Sequence, residues 1–299
     1  MRVLVAGWFS FESMGATAGD ILARDVVTDW LRDGGVPFDV AAVEPFTGDV
    51  DWRSADPGAY DHVVFVCGPF GNGWPLTDFL ERFAGRRLVG INLSLLETLE
   101  AWDPFDLLVE RDSSRTARPD LVFLSSAPLR PVVGRVEVHP QEEYGTRSGH
   151  DRATDLLDGL LAAHDVAVVD IDTRLDHNVT GLHSAGQVET VIARMDVVVT
   201  TRLHGLVLGL KNGVPVVALD PIQGGAKVLR QAQTLDWPLR LTVDRATPQD
   251  LEAAFARALE PGARLQAQQA AGRARTLLGD VRTLLLEDLA GGVAEARGA

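Results

Sequence analysis

The chain alternates short apolar runs with stretches of helical period, and that alternation predicts its architecture. Met1 to Ala6 is a short apolar strand. Asp20 to Leu31 carries apolar residues at Ile21, Leu22, Val26, Val27 and Trp30, the period of an amphipathic helix, which Gly34-Gly35 ends. Phe38 to Val43 returns as a strand, so the opening is a βαβ unit and implies a parallel sheet. Further strands are predicted at His62 to Cys67, Leu88 to Asn92, Asp106 to Val109 and Leu121 to Leu124, with a helix at Leu76 to Phe83.

The alternation restarts after Pro128-Leu129-Arg130-Pro131, whose two prolines suit a linker. Strands follow at Val132 to Val138, Val166 to Ile171, Asp196 to Thr200 and Val214 to Leu219. They are separated by helices at Ala153 to Ala163, near Gly186 to Arg194, and from Leu203. From Pro248 the chain is rich in Ala, Leu, Arg and Glu at helical spacing, as for two or three closing helices. The fold class expected is α/β, with two Rossmann-like doubly wound domains, 1–128 and 132–299. Their strand ends would face a shared cleft, where open α/β sheets bind ligands.

Composition narrows the function. The chain has 299 residues and a formal net charge of −14, from 28 basic against 42 acidic side chains. That surface repels a phosphate backbone, so nucleic acid is not an expected partner, although a few arginines in a cleft can still hold a small anion. One cysteine, Cys67, excludes an intramolecular disulfide and fits a reducing, cytoplasmic setting. Its sequence neighbours include no base, so a buried inert thiol is expected there. No apolar run approaches the roughly 20 residues of a membrane span, and the N-terminus lacks a signal-peptide pattern.

The stretch richest in chemistry runs from Asp196 to Asp220: strand, Thr200-Thr201-Arg202-Leu203-His204-Gly205, helix, Gly213 stop, strand. With Thr200 or Thr201 as N-cap, Arg202 and His204 fall in the first turn, where free amides and the positive dipole end favour an anion. Arginine grips phosphate or carboxylate bidentately, and imidazole exchanges protons near neutrality. Gly205 and Gly209, four apart, allow close packing. The same residues also fit an arginine paired with a carboxylate at a domain edge and a half-buried histidine without a catalytic role.

This segment resembles the Arg-Leu-His helix and Gly-x-Pro strand of the polysaccharide pyruvyl transferases. That family moves a pyruvyl group from phosphoenolpyruvate onto sugar hydroxyls as a ketal. Glu110-Arg111-Asp112-Ser113-Ser114 followed by Pro119-Asp120 resembles the family's Arg-Asp-x-x-Ser and Pro-Asp elements, with the second serine shifted. Lys227 resembles the lysine after the Gly-x-Pro strand, and Thr17-Ala18-Gly19-Asp20 resembles its Asn-x-Gly-Asp, with Thr for Asn. The likeness is continuous in the second domain and patchy in the first, where Cys67-Gly68-Pro69-Phe70-Gly71-Asn72-Gly73-Trp74 replaces a glycine triplet and Trp8-Phe9-Ser10-Phe11-Glu12 a Gly-rich entry. Those aromatic residues would stack on a sugar or pack in the core.

The resemblance implies a two-domain arrangement like that of GT-B enzymes, phosphoenolpyruvate as donor and a sugar or glycan as acceptor, with no cofactor or metal. It implies His204 and Arg202 as catalytic residues, His204 giving the proton. Arg111, Thr201, Lys227 and Asp20 would bind substrate. His139 rests on position alone: it closes the predicted strand Val132 to Val138 at a cleft-facing position, as a substrate ligand or proton-transfer group or as loop packing. His177 and His183 lack a third ligand at metal spacing, and no glycine pattern after the first strand matches a dinucleotide fingerprint. Two further classes stay open: a glycosyltransferase with its sugar-nucleotide diphosphate at the same helix end, and an anion or glycan binder without turnover.

Overall fold

The computed structural model describes residues 1–12, 14–138 and 142–297. It divides into two compact units, Met1–Pro128 and Leu129–Ala299. The first contains β1 (Val3–Ala6), α1 (Ala18–Asp33), β2 (Phe38–Val40), β3 (His62–Val66), β4 (Pro69–Phe70), α2 (Leu76–Arg82), β5 (Arg87–Ile91), β6 (Ser94–Leu95) and β7 (Leu107–Val109). Five of these strands form a parallel sheet in the order β2-β1-β3-β5-β7. Val3 and Val5 join the cluster around Ala23 and Val27 of α1, while Leu4 and Ala6 join Phe65, Leu76 and Phe79 on the other face. A strand covered on both faces reads as an unbroken apolar run, which is why β1 shows no polar alternation.

The entry loop packs inward. Phe9 and Phe11 are buried, and Trp8 donates its indole N–H to the Pro69 carbonyl at 3.0 Å. Gly68 has φ +84°, and a Cβ there would lie 2.1 Å from Trp8 Cδ1, so only glycine lets this ring pass. Core packing is therefore the role of Trp8, Phe9 and Phe11.

Leu121–Leu124 corrects the sequence expectation: it is a turn of 3-10 helix and not a strand. The Asn92 side-chain oxygen accepts the Leu121 amide at 3.0 Å and Asp120 accepts the Val122 amide at 2.9 Å. Side chains thus take the donors that a strand ladder would need, and a four-residue apolar run cannot by its pattern reveal this.

The second unit contains β8 (Val132–Val136), α3 (His150–Ala162), β9 (Ala167–Asp170), α4 (Ala185–Ile192), β10 (Val197–Thr200), α5 (Leu203–Lys211), β11 (Val216–Asp220), α6 (Lys227–Thr234) and β12 (Arg240–Thr242). It closes with α7 (Pro248–Ala258), α8 (Ala263–Leu277) and α9 (Val281–Arg297). Its sheet is parallel in the order β12-β11-β10-β8-β9. α3 packs with α7, and α5 packs with α4, α6 and α8. The α/β class and two Rossmann-like sheets are as the alternation predicts. Within this unit the chain leaves β8 for β9 on one side and then crosses to β10 on the other. That reversal opens the crevice between the carboxyl ends of β8 and β10, where such sheets take ligands. No helix among the described residues is long and apolar enough to cross a membrane.

Candidate functional site

At that switch point, the two threonines ending β10 knit it to β8. Thr200 Oγ1 donates to the Val136 carbonyl at 2.6 Å and accepts the Arg202 amide at 2.9 Å. Thr201 Oγ1, buried, accepts the Val138 amide at 2.9 Å. Neither caps α5, contrary to the sequence expectation: Arg202 is the N-cap residue, and no side chain caps the helix. The threonine side chains thus serve the carboxyl end of β8, where the Val136 carbonyl also accepts the Thr201 amide at 3.1 Å. A Cβ on Gly205 would lie 2.2 Å from Thr200 Oγ1, and one on Gly209 would lie 2.5 Å from Val216 Cγ2, so the glycines bring α5 hard onto the sheet.

The result is an open helix end. Leu206 N–H reaches the Arg202 carbonyl at 3.2 Å, but the amides of Leu203, His204 and Gly205 find no acceptor among the described residues. Some other helix starts are occupied, whereas α2, α3 and α8 likewise lack a side-chain cap. Thr17 and Asp20 form a capping box on α1, Ser184 and Gln187 do so on α4, and Asp220 accepts the Ala226 and Leu229 amides at 2.7 and 2.8 Å where α6 begins.

Arg202 stands beside this open end with its side chain 18% exposed. Its guanidinium makes one hydrogen bond among the described residues, from Nη1 to Asp172 Oδ1 at 3.3 Å. Burial lowers its pKa; Asp172 and Asp176 oppose that shift, and the neighbouring Arg174 adds to it. A guanidinium paired with Asp172 through one long hydrogen bond still has N–H groups to offer an anion. His204 is exposed on the first turn of α5.

Asp172 and Arg174 escaped the sequence reading. They lie just after β9, and the Arg174 amide donates to Asp172 Oδ1 at 2.9 Å, while its guanidinium forks onto Asp176 at 3.0 and 2.6 Å. Asn178 pins the loop, donating to the Asp172 and Arg174 carbonyls at 2.8 and 2.6 Å. The available signal was a carboxylate at the carboxyl end of a predicted strand. Nothing in the linear sequence joins it to Arg202, thirty positions on.

The other expected positions fall differently. Lys227 is exposed at the start of α6, with Nζ 5.9 Å from the centre of the Tyr144 ring. Arg111 belongs to the first unit and is already engaged: Nη1 donates to Asp120 at 2.8 Å, and its other nitrogens meet Ser94 and Asp112. Hydrogen bonding to Asp120 is the main cause that raises its pKa. Asp20 is buried in the capping box, accepting the Thr17 amide and hydroxyl at 2.7 Å each. Cys67 is buried, and burial first, then Asp20, pushes its thiol up to about 11. His139 lies outside the described residues.

A parallel sheet whose switch point holds an uncapped helix start beside a half-buried arginine defines an α/β protein with a candidate anion site. The family model of the polysaccharide pyruvyl transferases matches residues 119–222. That span includes Pro119-Asp120, Asp172, Arg174 and Arg202-Leu203-His204; Asp20 and Arg111 precede it and Lys227 follows it. No curated protein is significantly similar to the chain. Among solved structures, spinosyn forosaminyltransferase SpnP is similar at 16% identity and a TM-score of 0.31, covering 91% of this chain and 94% of that one. A glycotransferase of kitacinnamycin is similar at 12% and 0.36, over 96% and 98%. The UDP-GlcNAc 2-epimerase of Methanocaldococcus jannaschii is similar at 8% and 0.32, over 93% and 99%. At such scores the fold class rests on the two sheets described above.

Proposed function

We propose that the chain is a transferase that moves the pyruvyl group of phosphoenolpyruvate onto two hydroxyls of a sugar or glycan, forming a pyruvate ketal. The observation that carries this reading is the half-buried Arg202 side chain beside the uncapped start of α5, within the segment matched by the pyruvyl transferase model. Phosphoenolpyruvate brings a phosphate and a carboxylate, and both need cationic or N–H partners.

In this reading the phosphate sits on the Leu203, His204 and Gly205 amides and on Arg202. Arg174 takes the carboxylate by exchanging Asp176 for it, a role that suits it better than Arg111, whose guanidinium already serves Asp120 and Ser94. His204 delivers a proton to the methylene carbon of phosphoenolpyruvate. The carbon bearing the phosphate then has oxocarbenium character and accepts one sugar hydroxyl, whose proton is lost. Departure of phosphate and attack by the second hydroxyl, whose proton leaves with the phosphate, close the ketal. Preorganised donors at the phosphate are worth most on charge that develops as it leaves.

The test is turnover. Purified protein, phosphoenolpyruvate and a panel of glycans are incubated, inorganic phosphate is measured, and glycan products are examined by mass spectrometry. Glycan-dependent phosphate release with a ketal-bearing product is expected, and it disappears in His204→Ala. Phosphate release without any modified glycan, or modification that needs a sugar nucleotide, overturns the reading.

A further inference from the structure

Between β9 and α4 the chain runs through residues 171–184 without helix or strand, and this loop brings Asp172 and Arg174 to the anion end of α5. Its two roots are fixed by packing: Ile171 is buried in the core of the second unit, and Leu182 packs against the same cluster. Between the roots packing does little. Leu175 is 47% and Val179 79% exposed, and a cleft of about 140 Å³ is lined by Val179 and Thr180 of the loop and by Arg135 and Glu137 at β8.

Hydrogen bonds hold the loop instead, and they converge on Asn178. Its Nδ2 donates to the Asp172 and Arg174 carbonyls at 2.8 and 2.6 Å. Its Oδ1 accepts the Thr180 amide and hydroxyl at 2.9 Å each and the Leu182 amide at 3.0 Å, and Thr180 Oγ1 in turn accepts the Asp172 amide at 3.3 Å. An asparagine side chain has two N–H donors and one carbonyl oxygen, so this one is spent on its own loop and leaves nothing for a ligand. What it holds does face a ligand. Asp172 Oδ1 accepts both the Arg174 amide at 2.9 Å and Arg202 Nη1 at 3.3 Å, so one carboxylate oxygen ties the pinned loop to Arg202. The Arg174 charge is near enough to lower the pKa of Arg202. Both guanidinium side chains reach solvent, Arg174 at 33% and Arg202 at 18% exposure.

We infer that Asn178 is a positioning residue for the anion site: it keeps Arg174 in place beside Arg202, so that one ligand with two anionic groups engages both guanidinium groups. A loop held by hydrogen bonds over a cleft presents Arg174 for only part of the time once those bonds are lost, and a ligand that needs Arg174 then bears the cost of ordering it. A ligand with one anionic group needs only Arg202 and the start of α5, so it is indifferent to the loop. Asn178 thereby sets the preference for two-headed over one-headed anions without touching either. The inference rests on the proposed function in taking phosphoenolpyruvate as the two-headed ligand; the pinning itself is the same whichever such anion binds.

The experiment is calorimetric titration of the full chain with phosphoenolpyruvate, which has two anionic groups, and with inorganic phosphate, which has one. Asn178→Ala is expected to weaken phosphoenolpyruvate about tenfold and to leave inorganic phosphate within about twofold of wild type. In an Arg174→Ala background the same substitution should change neither by more than about twofold, because the group it positions is gone. Thr180→Val removes the hydroxyl that bonds Asn178 and the Asp172 amide while keeping the shape of the side chain, and it should weaken phosphoenolpyruvate about threefold with phosphate unchanged; it carries the test if Asn178→Ala does not fold. Equal losses on both ligands, no loss on either, or an undiminished loss in the Arg174→Ala background would overturn the inference. If phosphoenolpyruvate does not bind the wild type, pyrophosphate against phosphate repeats the comparison: a loss confined to pyrophosphate rejects the donor reading and keeps the role of Asn178, whereas a wild type that binds none of the three anions overturns both.

Discussion

Replacing Arg202 by lysine keeps the positive charge and removes the fork, so it separates geometry from electrostatics. The guanidinium is 18% exposed and holds one long bond to Asp172 at 3.3 Å, so most of its N–H groups are available to a bound anion. A charge-assisted hydrogen bond contributes roughly 1.5–3 kcal/mol. Losing one of the two parallel bonds to a phosphate therefore costs about 2 kcal/mol, or about thirtyfold in affinity. Lysine adds a further loss, because its ammonium is more strongly hydrated than a guanidinium and the site already penalises charge by burial. Isothermal titration of phosphoenolpyruvate at fixed salt should show Arg202→Lys weakened by about 30- to 100-fold and Arg202→Ala weakened further. His204→Ala, by contrast, should stay within about threefold of wild type in affinity while losing turnover. An Arg202→Lys protein that binds phosphoenolpyruvate as well as wild type would refute the reasoning.

Three further outcomes follow from the packing and the charges. Gly205→Ala places a Cβ 2.2 Å from Thr200 Oγ1 and should cost about 1–3 kcal/mol in chemical denaturation. Gly159→Ala, on an exposed face of α3 with nothing within 4 Å, should gain about 1 kcal/mol. Glu110 is buried, which opposes its ionisation, yet hydrogen bonds from Arg115, Ser113 and Arg118 outweigh this and hold its pKa at about 2. A depressed carboxyl stabilises fully above its unfolded value and loses that contribution as pH falls through the folded one, so the melting-temperature gap between wild type and Glu110→Gln should be widest near neutrality and narrow steadily below pH 4.5. The Cys67 thiol, pushed up to about 11, should resist a thiol reagent at neutral pH in the folded protein and react promptly in denaturant.

Much of this architecture was legible in the sequence because parallel strands buried on both faces leave unbroken apolar runs such as Val197-Val198-Val199, and glycines mark helix ends such as Gly34-Gly35. The anion end of α5 was legible as well, since Arg202 and His204 are local to the strand-to-helix turn. What failed was whatever depends on distant partners. Leu121–Leu124 has the composition of a strand, but Asn92 and Asp120 take its amides. Thr200 and Thr201 have the composition of N-caps, but the end of β8 claims them. Asp220, at the end of β11, fills the start of α6, where Lys227 stands exposed. Asp172 and Arg174 become visible only when β9 is placed beside β8, on the side away from β10, in three dimensions.

The measurement that bears most directly on the donor is a calorimetric titration of the wild-type chain, in metal-free buffer, with phosphoenolpyruvate and separately with a panel of sugar nucleotides. Saturable phosphoenolpyruvate binding that vanishes in Arg202→Ala, with no comparable response to the sugar nucleotides, is the predicted result. Selective sugar-nucleotide binding with none for phosphoenolpyruvate would contradict the account and make the start of α5 a diphosphate site.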